Sequence, residues 1–255
     1  GSIIVSGGSV SANGNGVAGA VYSGGDLAVS AGTLIAGATA TSALDISGSA
    51  IITGGTVNAF SECEDAPAAN IFGGDFSVTS AEVEIAAIAD GIYLGIGCFT
   101  LNSGSLDIIS EEGNAITVSS DLGDVFVYGG DLTVKADKSN GIYSPLSPVT
   151  IGKGNVDITA GNDGIVSGSA IIVDAPVESL VIKSLNSDKD ADYSAFKIDD
   201  KDLLSLDSIL AVSASPNSDG SSAEALDTAK LGDYDYIYIR RPVVHVGGIG
   251  LGIGD

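Results

Sequence analysis

The stretch GDLTVKADKSNGIYSPLSPVTIGKGNVDI, residues 130–158, contains one full unit of a repeat and the start of the next. The unit opens as Gly130-Asp131-Leu132-Thr133-Val134 and opens again as Gly154-Asn155-Val156-Asp157-Ile158. Two further short apolar segments, Gly141-Ile142-Tyr143 and Thr150-Ile151, lie between these openings. Three short strands separated by turns rich in Gly, Asn and Ser predict one rung of a parallel β-helix.

The same unit recurs along most of the chain. Aligning the first apolar residue of each copy gives intervals of 24, 23, 19, 30, 26, 24 and 24 residues along the series Val10, Leu34, Val57, Phe76, Leu106, Leu132, Val156 and Leu180. Because successive side chains of a strand point to opposite faces, this apolar ladder points inward and the polar residues between its members point outward. We therefore predict an all-β fold, a right-handed single-stranded parallel β-helix of about eight or nine rungs.

The irregular intervals and the local composition set the expected boundaries. The β-helix is predicted over residues 1–215, with lateral insertions near 81–89 and 186–205 and a last rung near 209–214. Residues 216–241 are predicted to form a C-terminal cap, with a short helix at 223–230 and a strand at 234–240, because the end of a solenoid needs cover. Residues 242–255 form a Gly-rich tail.

Composition excludes several classes of partner. The 255 residues contain 33 Asp and Glu but only 10 Lys and Arg, giving a net charge of −23, which repels nucleic acid. No apolar run reaches the ~20 residues of a membrane-spanning helix, so we expect no membrane insertion. The chain opens Gly1-Ser2-Ile3, without Met or a leader, and we interpret it as a monomeric segment of a larger exported protein, extracellular or at the cell surface.

Acidic residues concentrate in the turn between the first and second strands of successive rungs. The candidate metal ligands among them are Asp90, Glu111, Glu112, Asp137 and Asp163. Stacking would bring oxygens from adjacent rungs together, which suits calcium with its about six to eight oxygen ligands. The alternative is a solvated acidic edge that keeps the protein soluble.

Tyrosines are the candidate sugar-stacking residues. Tyr93 and Tyr143 each follow a Gly-Ile pair in the second strand, and Tyr22 holds the equivalent position near the start of the chain. If the Ile points inward, the Tyr points outward and its ring is free to stack on a sugar face, with Asp131 and Asp157 as outward partners for sugar hydroxyls. The alternative is that these rings pack beneath lateral loops.

Some of these motifs carry a family resemblance. With Asp90-Gly91-Ile92, Asn162-Asp163-Gly164-Ile165, Asn140-Gly141-Ile142 and its Gly-Gly-Asp-Leu unit, the chain resembles the pectate-lyase-like superfamily of right-handed parallel β-helices over about residues 1–185. It is most similar to the non-catalytic bacterial family described as binding acidic sugars, such as polygalacturonate, and cellulose, with calcium in the turns. Asn114-Ala115-Ile116 and Ser42-Ala43-Leu44 depart from the pattern, which implies fewer calcium sites.

These observations favour a non-catalytic polysaccharide-binding module or adhesin, with calcium-dependent binding of acidic glycans. The first alternative is a polysaccharide lyase or glycoside hydrolase of the β-helix type. Its support is limited, because Arg240 and Arg241 lie at the far terminus and His245 is the single histidine, although stacked outward aspartates offer a carboxylate pair. The second alternative is a structural stalk or protein-binding adhesin that binds no sugar.

Overall fold

The computed structural model describes residues 1–185, 193–198 and 203–242. These residues form a right-handed parallel β-helix of eight turns closed by an antiparallel pair of strands. The strands of its first half are β1 (Ile3–Gly14), β2 (Val21–Ser23), β3 (Leu27–Ala38), β4 (Leu44–Ile46), β5 (Ala50–Ile52), β6 (Thr56–Ser61), β7 (Ala69–Ile71), β8 (Phe76–Val78), β9 (Ala81–Ala87), β10 (Ile92–Leu94), β11 (Phe99–Leu101) and β12 (Gly104–Ser110). Those of the second half are β13 (Ile116–Val118), β14 (Val125–Val127), β15 (Asp131–Ala136), β16 (Ile142–Ser144), β17 (Val149–Ile151), β18 (Gly154–Ala160), β19 (Ile165–Ser167), β20 (Ile171–Val173), β21 (Val177–Ser184), β22 (Phe196–Ile198), β23 (Leu204–Leu206), β24 (Ala211–Ser215) and β25 (Tyr236–Arg240).

The parallel strands stack in three rows along the solenoid. The first row, made of the strands counted above as the second of each repeat, is an eight-stranded sheet in the order β2-β4-β7-β10-β13-β16-β19-β22. The repeat openings form the last row. The middle row contains the starts of β1 and β3 followed by β5, β8, β11, β14, β17, β20 and β23. The last row contains the ends of β1 and β3 followed by β6, β9, β12, β15, β18 and β21. Because β3 takes part in both, the middle and last rows belong to one larger sheet.

Apolar side chains from all three rows fill the interior of the solenoid. Residues in equivalent positions of successive turns stack directly on one another, as Phe76 and Phe99 do with ring centroids 5.9 Å apart and planes 6° from parallel. This arrangement explains the predicted alternation, because the inner strands of the last row, such as β15 and β18, bury every second residue. The terminal strand β1 is the exception: Val10, predicted to point inward, is 41% exposed.

A glycine corner explains why most repeats open with Gly. Gly130 and Gly154 stand at the start of the last row with φ of 81° and 95°, in the left-handed region that disfavours other residues. A Cβ on Gly154 would also collide with the carbonyl oxygen of Gly130 in the turn below. The chain turns sharply at this position, so only Gly fits both requirements.

Residues 81–89 are not a lateral insertion, as the sequence led us to expect. They contain β9, a full member of the last row, in which Val83 lies in register with both Val57 and Leu106. With Val83 in place of Phe76, the intervals become 24, 23, 26, 23, 26, 24 and 24 along Val10, Leu34, Val57, Val83, Leu106, Leu132, Val156 and Leu180.

The misassignment has a local cause. Gly74-Asp75-Phe76 has the sequence of the repeat opening, but Phe76 belongs to the middle row, where it lies in register with Ala50 and Phe99. The true opening of this turn has Ala81 in register with Gly104, and the positive φ of 53° falls one residue earlier, on Ser80. The turn therefore keeps the solenoid geometry without the glycine signal.

The second predicted insertion, near 186–205, also contributes to the solenoid. Strands β22 and β23 continue the first and middle rows by pairing with β19 and β20. Residues 186–192 and 199–202, which hold most of the predicted charged excursion, lie outside the described residues, as do His245 and the Gly-rich tail from residue 243 onward.

The C-terminal cap differs from the expectation in its details. The residues predicted as a last rung form β24, which pairs antiparallel with β25, and β25 in turn pairs antiparallel with β21. In place of a helix at 223–230, a 3-10 helix spans Thr228–Asp233. The strand expected at 234–240 begins at Tyr236, and Tyr234 lies before it, buried, with its hydroxyl donating to Glu224 Oε1 at 3.1 Å. Antiparallel β25 thus covers the edge that β21 would otherwise expose.

Within the described part of the chain, no helix has the length and apolar character needed to cross a membrane.

Candidate functional site

The middle residue of each first-row strand points away from the core, and together these residues form a single line along the solenoid. The strand register gives their order as Tyr22, Asp45, Asn70, Tyr93, Thr117, Tyr143, Val166 and Lys197. We call this set the outer ladder. Adjacent members are one strand spacing apart, about 4.8 Å.

The three candidate tyrosines all belong to the outer ladder. Tyr22 is 58% exposed, whereas Tyr93 and Tyr143 are half-buried. The interval between Tyr22 and Tyr93 is filled by polar groups, with Asn70 Nδ2 donating to Asp45 Oδ1 at 3.1 Å. The rings and the polar groups of the ladder therefore share one face of the solenoid.

An open groove of about 490 Å³ lies beside Tyr93. The ladder residues Asp45 and Asn70 contribute one part of its lining. The turns that lead into β4, β7 and β10, on one side of the ladder, contribute Thr41, Ser42, Glu64, Asp65, Ala66, Pro67, Ala89 and Asp90. Its charged lining is entirely acidic, and hydroxyl and amide groups accompany it. A ligand rich in hydroxyl groups finds both hydrogen-bond acceptors and an aromatic ring here.

A second groove of about 300 Å³ lies beside Tyr143 and differs in charge. Its lining includes Asn140, Pro145, Val166, Asp163 and the cation Lys197. Asp163 is buried, accepts a hydrogen bond from the Ser194 backbone N at 2.8 Å, and has its other oxygen 3.6 Å from Lys197 Nζ. The lysine side chain is 47% exposed, so it presents positive charge to the groove while it stays anchored to Asp163.

Asp90 is held by hydrogen bonds at the edge of the Tyr93 groove. Its Oδ1 accepts from the Asn114 backbone N at 2.8 Å, and its Oδ2 accepts from Thr117 Oγ1 at 2.7 Å. Burial raises the pKa of the Asp90 carboxyl above its usual value, and the two hydrogen bonds oppose that rise. The carboxylate thus ties the acidic turn to the outer ladder through Thr117.

Asp131 and Asp157, expected from the sequence to contact a glycan, lie on a different face from the tyrosines. Both are exposed on the last row. Asp131 lies in register with Asn155, whose Nδ2 donates to Asp131 Oδ1 at 2.9 Å, while Asp157 lies in register with Thr133. The predicted sugar-binding residues are therefore divided between two surfaces. The sequence did not show this, because alternation along a strand separates inside from outside but does not tell which of the three rows share a face.

The five predicted metal ligands do not converge on a common point. Glu112 pairs with Lys138, Asp137 pairs with Lys135 at 2.6 Å, and Glu111 is exposed. The carboxylate oxygens of Asp90 and Asp163 make the contacts given above. Across residues 1–185, 193–198 and 203–242, no three His, Cys, Asp or Glu side chains are grouped as a metal site. Calcium dependence therefore stays a prediction to be tested.

Sequence reasoning missed several members of the outer ladder and one further aromatic pair. Asp45 and Asn70 stand between buried residues in Leu44-Asp45-Ile46 and Ala69-Asn70-Ile71, the same apolar-polar-apolar signal that places the tyrosines. On the middle row, Phe126 and Tyr128 stack with centroids 5.1 Å apart and planes 15° from parallel. Their alternation in Phe126-Val127-Tyr128 was a signal for two outward rings, one on β14 and one directly after it.

Comparison of the chain with protein-family models, with curated proteins and with solved structures gave no match. Of the resemblance drawn from the turn motifs, only the parallel β-solenoid architecture is therefore supported. The function has to be argued from the outer ladder and its grooves.

Proposed function

We propose that this protein is a non-catalytic polysaccharide-binding module, extracellular or at the cell surface, that holds a glycan along the outer ladder. The observation that carries the proposal is the alignment of Tyr22, Tyr93 and Tyr143 in one outward line, with two of the rings bordering open grooves. Aromatic rings on a rigid sheet provide apolar platforms for sugar faces at little entropic cost, because the strands already fix their positions.

The spacing of the rings suits an extended chain rather than a single sugar. Tyr93 and Tyr143 are separated by two strand spacings, about 10 Å, with Thr117 between them. Both grooves open on the same face, so one glycan running along the solenoid axis reaches both rings. Each ring adds contact area, and a linked ligand gains from the second contact without a second loss of translational freedom.

The polar lining of the two grooves points to the sugar chemistry. Around Tyr93 the groove offers carboxylates and an amide, which accept hydrogen bonds from hydroxyl groups and repel acidic sugars. Around Tyr143 the groove offers Lys197, which attracts a uronic acid carboxylate. We therefore propose a polysaccharide with neutral units toward Tyr93 and an acidic unit toward Tyr143.

Retention on a panel of neutral and acidic polysaccharides tests this function. We expect retention on at least one polymer, and we expect Tyr93→Ala and Tyr143→Ala each to weaken it roughly tenfold, about 1.4 kcal/mol. Tyr128→Ala is the matched control, because Tyr128 is 47% exposed and lies outside the outer ladder. Equal losses for all three variants would argue against the outer ladder as the binding face.

Two further arms separate the alternative functions. Repeating the panel with calcium and with a chelator tests calcium dependence without assuming a site. Release of reducing or unsaturated sugar during the incubation would favour a glycoside hydrolase or lyase. Absence of retention on every polymer would remove the sugar-binding function and leave a stalk or protein-binding surface.

A further inference from the structure

A third concave site, distinct from the two grooves of the outer ladder, lies on the outer face of the last row. It encloses about 370 Å³ and is lined mostly by apolar surface. Its centre is Ala86, which lies in register with Phe60 on one side and Ile109 on the other. Because Ala has a single side-chain carbon, the ladder dips between the two larger residues. We call this site the Ala86 notch.

The walls of the notch are exposed apolar side chains on a rigid base. Phe60 is 43% exposed and Ile109 is 46% exposed. The Phe60 ring lies over Gly37 of the preceding turn, where any Cβ would collide with it. Glycine at this position therefore lets the ring lie along the sheet as one flat side of the notch.

A polar line runs beside this apolar line, two residues earlier on each strand. Asn58, Glu84 and Asp107 lie in register on β6, β9 and β12, on the same face as the notch. Among the described residues, neither Glu84 nor Asp107 forms an ion pair. Asn58 Oδ1 is enclosed and has no hydrogen-bond donor. Within the described chain, the notch thus borders two exposed carboxylates that lack a partner, with one unpaired acceptor enclosed beside them.

This arrangement opposes the stability of the fold unless a ligand compensates. Like charges directly opposite one another on adjacent strands are destabilising, and Glu84 and Asp107 are such a pair. The cation nearest in register is Lys135, which follows Ile109 in its ladder and is paired with Asp137 at 2.6 Å. A positively charged ligand would relieve the repulsion and supply hydrogen-bond donors to the two carboxylates.

We propose that the Ala86 notch binds a small organic cation with a flat apolar body and an amidinium or guanidinium head. The body packs between Phe60 and Ile109 over Ala86. The head donates hydrogen bonds to Glu84 and Asp107. A planar head with several N–H donors matches two adjacent carboxylates better than a single ammonium does.

Titration with benzamidine, followed by amide chemical shifts, tests the proposal. We expect saturable shifts that cluster on β6, β9 and β12. Benzamide, the neutral analogue of similar shape, is expected to bind at least tenfold more weakly, because it lacks the charge that Glu84 and Asp107 select. Equal binding of the two compounds, or no binding of benzamidine at millimolar concentration, overturns the proposal.

Three variants locate the site. Glu84→Gln and Asp107→Asn are each expected to weaken benzamidine binding roughly tenfold. Glu82→Gln is the matched control, since Glu82 is exposed on the same strand but belongs to the neighbouring ladder with Thr56 and Ser105, so its loss is expected to stay within about twofold. An equal loss in Glu82→Gln would show general attraction to an acidic protein and overturn the site.

Filling the notch gives an independent check. Ala86 is exposed, so Ala86→Leu leaves the core intact while it occupies the space between Phe60 and Ile109. We expect this variant to lose benzamidine binding while it keeps the circular dichroism spectrum and unfolding midpoint of the parent protein. Undiminished binding in a folded Ala86→Leu variant would contradict the proposal. None of these positions belongs to the outer ladder, so the result is independent of glycan binding.

Discussion

Tyr93 and Tyr143 lie two strands apart in one outward ladder, and the residue between them, Thr117, donates a hydrogen bond to Asp90 Oδ2 at 2.7 Å. The spacing is imposed by backbone hydrogen bonds of the first row, so it does not depend on the conformation of a loop. A binding surface built this way is rigid and repeats along the molecule, which suits a ligand that also repeats.

Replacement of Lys197 tests the proposed difference between the two grooves. Lys197→Gln removes the positive charge beside Tyr143 while it keeps a long polar side chain. We expect binding of a uronic acid polymer to weaken about fivefold to tenfold, and binding of a neutral polymer to change by less than about twofold. The measurement is the ratio of the two affinities at low and high salt, because added salt screens the charge contribution.

The outcome against this assignment is a parallel loss on both polymers. Lys197 also contacts buried Asp163, so the unfolding midpoint of the variant has to be measured alongside binding. A lower midpoint with an unchanged affinity ratio would make Lys197 a purely structural partner of Asp163.

Core truncation in β9 tests its place in the solenoid. Ile85 is 2% exposed and lies in register with Ala59 and Ile108 inside the last row. Ile85→Ala is therefore expected to lower the free energy of unfolding by about 2 to 5 kcal/mol, through lost burial and the cavity left behind. Urea denaturation measures it.

Ala86→Ser on the same strand is the control for that experiment. Its side chain is exposed, so the change in unfolding free energy is expected to stay within about 0.5 kcal/mol. If Ile85→Ala were as mild as the control, residues 81–87 would not be part of the core.

The carboxyl of Asp90 predicts a specific pH dependence of stability. Because burial raises its pKa in the folded state above the ordinary value of 3.8, the folded state favours the protonated form. The resulting stabilisation is present in full below pH 3.8 and is lost as the pH rises through the raised pKa. Asp90→Asn removes this dependence.

The difference in unfolding free energy between the parent protein and Asp90→Asn isolates that contribution from the other acidic groups. Measured by denaturant titration from pH 3 to pH 7, the parent protein is expected to lose stability relative to the variant as the pH rises. A difference that stayed constant would show that the hydrogen bonds from Thr117 and Asn114 cancel the effect of burial, and one that grew in favour of the parent protein would show that they outweigh it.

The fold was largely predictable from the sequence, because a parallel solenoid repeats its packing in every turn. The corner geometry requires Gly130 and Gly154, and the core requires Leu132 and Val156. Both requirements return from turn to turn, so they produce a visible period in the sequence. The prediction failed at Ala81, where the corner is made without Gly and a nearby Gly74-Asp75-Phe76 imitates the motif.

The candidate site was less predictable, because it depends on which rows share a face. Tyr93 and Tyr143 were found since each follows the same Gly-Ile pair. Lys197 was missed because it follows its register partner Val166 by 31 positions, more than the usual interval between turns, and the segment between them does not show the repeat. Asp131 was placed beside the tyrosines although its strand belongs to another row. Sequence spacing gives the position within a turn, whereas the assignment of faces needs the register.

If one glycan chain spans Tyr93 and Tyr143 as proposed, affinity depends on ligand length, and the most direct test is the affinity of oligosaccharides of increasing length from whichever polymer is retained. We predict that affinity rises with length until the ligand reaches both rings, and that Tyr143→Ala removes the gain from added length while it leaves the shortest neutral oligosaccharide, bound at Tyr93, unaffected. Affinity that is independent of length, or a length dependence that survives in Tyr143→Ala, would contradict the account.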